Sequence, residues 1–73
     1  MTVVNILVQT ANGKQWTVSH KMRRLEGVEK SHVVSGTYDI IALAHVAERD
    51  LGRLLAQIHD LPGVVETELC VAL

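Results

Sequence analysis

Along this chain, short apolar runs alternate with segments in which apolar residues recur every third or fourth position. The runs Val3 to Gln9, Val28 to Val34, Tyr38 to Val46 and Val64 to Val71 predict strands. Between them, Val18, Met22 and Leu25 predict a helix over about Lys14 to Leu25. Leu51, Leu54, Leu55, Ile58 and Leu61 predict a second over about Asp50 to Leu61. Gly27 and Pro62-Gly63 punctuate the ends of the helices, each just before an apolar run resumes.

The pattern repeats. Shifted by 36 positions, Leu25-Glu26-Gly27-Val28 falls on Leu61-Pro62-Gly63-Val64, Val18 on Leu54, Met22 on Ile58 and Val4 on Ile40. Two βαβ units joined by a tight turn predict a single α+β domain over residues 1–73, the ferredoxin-like βαββαβ arrangement. Right-handed crossovers then place both helices on one face of a four-stranded antiparallel sheet. Nothing covers the other face, although Asn5-Ile6-Leu7-Val8 and Ile40-Ile41-Ala42-Leu43-Ala44 are apolar on both sides. The last strand is expected to show the same, with Val65, Leu69 and Val71 on one side and Val64, Cys70 and Ala72 on the other. Such a face calls for a second chain, with Ile41 and Leu43 in the contact. Composition agrees: 48% of the residues are apolar against 21% charged, and a domain of this size buries only about 60% of its unfolded surface.

Trp16 stands apart from the Val18, Met22 and Leu25 stripe, on the outer side of the first helix with His20 one turn on. It is read either as an anchor between chains or as a side chain folded against the Ala11-Asn12-Gly13 loop.

Candidate chemistry concentrates in the turn Ser35-Gly36-Thr37-Tyr38-Asp39, between Val33-Val34 and Ile40-Ile41. A glycine-bearing hairpin turn presents a phenol and a carboxylate together at the mouth of a strand, where a rigid scaffold can aim them at a small polar ligand. The alternative is a turn whose Gly36 supplies only a backbone conformation and whose Asp39 bonds only nearby backbone. Other chemistries find less support. His20, His32, His45 and His59 fall on four different elements without metal-ligand spacing, so no metal and no cofactor is expected. Tyr38 with Asp39, or His45 with a nearby carboxylate, leaves acid/base catalysis as a minor alternative; a pocket reaching His45 would favour it. A net charge of −1 and only two aromatic residues speak against direct nucleic-acid binding. Cys70 is the single cysteine, no run is long enough to span a membrane, and no leader is evident, which together predict a cytoplasmic protein.

Val33-Val34-Ser35-Gly36-Thr37-Tyr38-Asp39-Ile40-Ile41, followed by Leu61-Pro62-Gly63-Val64 and a strand containing Thr67, resembles the effector-binding (RAM) domain of the Lrp/AsnC transcription regulators. The resemblance covers essentially the whole chain. It implies dimers whose sheets pack together, assembled further into octamers or decamers, with amino acids bound in clefts between dimers. It carries the effector cleft onto Gly36, Thr37, Tyr38, Asp39 and Thr67. Leu69 departs from the family's second threonine on the last strand. Met1 precedes the first strand almost directly, so the chain resembles the stand-alone form, the small regulators of amino-acid metabolism, without a helix-turn-helix. The function expected is a non-enzymatic effector-binding domain that senses a small metabolite and acts through oligomerisation. Alternatives are a ligand-free module that co-assembles with a full-length regulator, and a small cofactor-independent enzyme of the dimeric α+β barrel type.

Overall fold

A computed structural model describes residues 1–71. The chain runs β1 (Thr2–Thr10), α1 (Gln15–Met22), β2 (Val28–Val33), β3 (Ile40–Val46), a single helical turn at Glu48–Asp50, α2 (Leu51–His59) and β4 (Val64–Val71). The four strands form one sheet in the order β2-β3-β1-β4, every neighbouring pair antiparallel. This is the ferredoxin-like α+β fold that the repeated pattern predicts.

The core lies between the helices and one sheet face. Val4, Ile6 and Val8 of β1 and Ile40, Ala42, Ala44 and Val46 of β3 meet Val18 and Met22 of α1 and Leu54 and Ile58 of α2, all buried. These are the positions that two-residue and 3.6-residue periodicities select. Inside this apolar layer sits one polar pair. The Ser19 and Ser31 hydroxyls lie 2.7 Å apart, buried between α1 and β2, so each satisfies the other. Beside them the Arg23 guanidinium donates twice to the Ser31 carbonyl, at 2.7 and 3.2 Å, pinning the end of α1 to the edge strand.

Both helices are shorter than the apolar pattern suggests. Leu25 N–H bonds back to Met22 O and Leu61 N–H to Ile58 O, three residues rather than four, so the last turn of each tightens out of α-helix. Gly27 and Gly63 follow at the same φ of +97°, a conformation that costs a side chain but not glycine. Val28 N–H then returns to Leu25 O and Val64 N–H to Leu61 O, both at 3.2 Å, so the two halves leave their helices through the same turn.

The halves share one more device. The register of β2 on β3 shifts between Val28 and Lys30, and that of β4 on β1 shifts opposite Gln9 and Thr10. Glu29 and Val65, 36 positions apart, are therefore the extra residues of two bulges. The second bulge corrects the expected faces of β4. An extra residue inverts the alternation, so Val64, Thr67, Leu69 and Val71 share the helix side, while Glu66, Glu68 and Cys70 pair with Gln9, Leu7 and Asn5 on the open side. The open face thus carries Val3, Leu7, Ile41 and Leu43 interspersed with Asn5, Gln9 and His45 on its inner strands, and carboxylates along β4. Ala72 lies outside the described residues.

Candidate functional site

The turn between β2 and β3 is held at both ends by backbone bonds. Val34 N–H donates to Asp39 O at 2.8 Å, and Asp39 N–H donates to Val8 O at 2.9 Å, tying the turn to the far end of β1. Side chains complete the attachment. Asp39 Oδ2 accepts the Thr10 N–H at 2.8 Å and the Thr10 hydroxyl at 3.2 Å, where β1 leaves the sheet. Tyr38 reaches across β1, and its hydroxyl donates to Glu68 Oε2 on β4 at 2.9 Å. This bond, followed by desolvation and then the neighbouring carboxylates, raises the phenol pKa above its ordinary value. The contribution is therefore intact at neutral pH and is lost only as alkaline pH ionises the phenol.

Gly36 and Thr37 lie at the exposed tip of the turn. Gly36 takes φ +154°, and a Cβ built there would meet nothing within 4 Å. The glycine answers to backbone conformation, and the space above it is open. One oxygen of the Asp39 carboxylate is thus taken up by Thr10 of β1, not by the backbone of its own turn. The other, Oδ1, makes no hydrogen bond to the described residues.

Thr67 pairs with Val8 on the helix side of the sheet, whereas Tyr38 and Glu68 meet on the open side. Ile41 and Leu43 project from the middle of that open side, exposed and half-buried, with Val3 and Leu7 beside them. Trp16 is 70% exposed on α1, so it does not fold away against the 11–13 loop. Two partners of the turn, Thr10 and Glu68, were not foreseen. Thr10 is placed by the register of β1, and Glu68 by the Val65 bulge, and neither leaves a mark in the residue pattern.

A concavity of about 510 Å³ opens at the end of the sheet away from this turn, lined by Arg24, Gly27, His45, Asp50, Arg53 and Gln57 among others. It reaches His45, the feature that acid/base catalysis would ask for. His45 Nδ1 lies 3.2 Å from Glu29, so a histidine with a nearby carboxylate stands at this cleft, the pair named for that alternative. Among the described residues no Ser, Thr, Tyr or Cys lines it. Nor do the described residues gather three or more His, Cys, Asp or Glu in a set that could hold a metal ion. No helix among them is long and apolar enough to cross a membrane.

The model of the Lrp/AsnC ligand-binding domain matches residues 3–73 of this chain. The chain belongs to that family. It is accordingly a regulatory effector-binding domain. Among solved structures, a hypothetical protein from Pyrococcus horikoshii is 29% identical at a TM-score of 0.92, covering 100% of this chain and 90% of that one. A Thermus thermophilus protein is 25% identical at a TM-score of 0.94, with 100% and 94% covered. AsnC of E. coli shares the fold at a TM-score of 0.85 and 17% identity, with 99% of this chain covering 50% of AsnC. The chain thus spans half the length of that regulator. No curated protein sequence matches it.

Proposed function

We propose that this Lrp/AsnC domain senses a small metabolite, an amino acid, at the turn of residues 36–39, and answers through the association of copies rather than by catalysis. The observation that carries the reading is the state of Asp39. One carboxylate oxygen is fixed by Thr10, which aims the group, while Oδ1 remains available to an ammonium beside the open space over Gly36. A preset acceptor of this kind binds without spending conformational entropy on ordering itself. Tyr38 and Thr37 would flank the ligand, and Thr67 would act from the helix side through the position of β4. Copies would pair through Ile41 and Leu43, with Trp16 between pairs in a ring of eight or ten chains. A full-length Lrp/AsnC regulator is a further candidate partner, in the cytoplasm.

A thermal-shift panel of amino acids, each followed by light scattering, tests the reading. At least one amino acid is expected to raise the melting temperature and change the mass of the assembly, because a ligand bound between copies favours the state it bridges. Asp39→Asn is then expected to weaken that ligand by ten- to a hundred-fold, about 1.5–3 kcal/mol, while costing roughly 1 kcal/mol of stability at the Thr10 bonds. A panel without any shift overturns the amino-acid reading. Stability lost with affinity intact would return Asp39 to a purely structural role.

A further inference from the structure

The concavity at the end of the sheet away from the turn of residues 36–39 lies between two braced walls. One is the exit from α1, pinned to the end of β3 where the His45 N–H donates to Gly27 O at 2.8 Å. The other is the start of α2, whose leading helical turn is closed by the Asp50 N–H on Ala47 O at 2.9 Å. Leu25, Val46 and Leu54 give the cleft an apolar part. Arg24 comes to it from the first wall and Arg53 from the second, with Gln57 one helical turn after Arg53 on the same face. Arg53 donates to Asp50 Oδ1 at 3.0 Å, which orients the planar group and leaves its other N–H donors open. The Arg24 side chain makes no hydrogen bond to the described residues. Of the two carboxylates lining the cleft, Asp50 is thus engaged and Glu26 is exposed. His45 is turned to Glu29 at 3.2 Å.

The repeat shows that the fold does not require these donors. Across 36 positions Arg24 corresponds to Asp60, Arg53 to Thr17 and Gln57 to Lys21. Both corners nevertheless leave their helices through the same glycine turn at φ +97°. Two arginines at one corner alone answer to something other than the turn.

We propose that this cleft binds a small carboxylate anion rich in hydrogen-bond acceptors, an α-keto acid with a short apolar side chain. Arg24 and Arg53 take the carboxylate, in the planar paired geometry that guanidinium groups favour. Gln57 donates to the keto oxygen, and Leu25, Val46 and Leu54 meet the apolar end. An amino acid is the poorer fit, because its ammonium would stand beside two guanidiniums. The cleft shares no residue with the turn of residues 36–39, so the proposal stands whether or not that turn binds a ligand.

The test is titration of the protein with α-ketoisovalerate, read by calorimetry and by amide NMR shifts. Saturable binding is expected, with shifts at Arg24, Gly27, Arg53 and Gln57 and none from Gly36 to Asp39. Arg24→Gln and Arg53→Gln, both on exposed side chains, are each expected to weaken binding about tenfold, since each removes a charged hydrogen bond. Glu26→Gln is expected to tighten it, because a carboxylate near the anion is lost. Valine, the amino acid of the same shape, separates the ligand classes. If valine shifts the cleft amides and α-ketoisovalerate does not, or if Glu26→Gln weakens binding, the cleft takes a zwitterion and the anion reading is overturned. Binding indifferent to both arginine variants, or α-ketoisovalerate without shifts at the cleft, overturns the site.

Discussion

Gly27→Ala is expected to remove most of the protein's stability at room temperature. The residue sits at φ +97°, and a Cβ there would overlap the Cγ1 methyl of Val46, a core side chain. Each fault alone costs on the order of 1–3 kcal/mol, the first as backbone strain and the second as overpacking. The overlap cannot be relieved locally. Gly27 O accepts the His45 N–H at 2.8 Å, so moving the glycine away from Val46 would open the join between the turn and the end of β3. Against a total stability of about 5 kcal/mol for a domain of this size, the two together leave little. Chemical denaturation followed by circular dichroism reads the effect, and a midpoint within 0.5 kcal/mol of wild type would refute the account. The sister substitution Gly63→Ala has the same φ, but its Cβ would meet the Lys14 side chain at 3.0 Å, a flexible neighbour that can turn aside. It should cost visibly less.

Leu43→Lys is expected to separate copies without unfolding them. In the single chain Leu43 is half-buried on the open side, between Asn5 on β1 and Lys30 on β2, where a lysine stem can lie on the sheet with its ammonium in water. Between two sheets that ammonium would be enclosed without a partner, which costs about 3–5 kcal/mol. That is a hundred- to several-thousand-fold loss of affinity. Sedimentation should report a folded species of 8.0 kDa. A variant that still pairs as the wild type does would remove Leu43 from the contact, and one that unfolds would mean the open side is part of the core.

The fold was legible because two periodicities and one repeat agree. Val4, Ile6, Val8, Val18, Met22, Leu54 and Ile58 are where alternation and helical spacing place them, and the repeated Leu25 to Val28 and Leu61 to Val64 segments mark both exits from helix to strand. What alternation could not supply was a change of phase. A bulge adds one residue without altering composition, so Glu29 and Val65 read as ordinary strand residues, and the outward carboxylates of β4 stayed hidden. The turn was visible through Gly36 and Asp39. Its partners were not, because Thr10 and Glu68 lie 29 and 30 positions from the residues they hold, and sequence distance says nothing of such meetings. Ser19 and Ser31 were missed for a related reason. Each looks like an interruption of an apolar face until the other is set against it.

The strand order has a consequence for how the domain must come together. Strands of the first half, β2 and β1, alternate with strands of the second, β3 and β4, so every ladder in the sheet joins one half to the other. In repeat proteins built by stacking, a unit pairs with its neighbour and part of the array can stand alone. Here residues 1–36 contain two strands separated by the slot that β3 fills, and hold no ladder of their own. Despite the duplicated sequence, neither copy of the pattern is a folding unit. The apolar central strand β1 is synthesised first, yet Val4 waits for Val71 to complete its hydrogen bonding. Closure over so long a stretch makes assembly all-or-none and slow for its size.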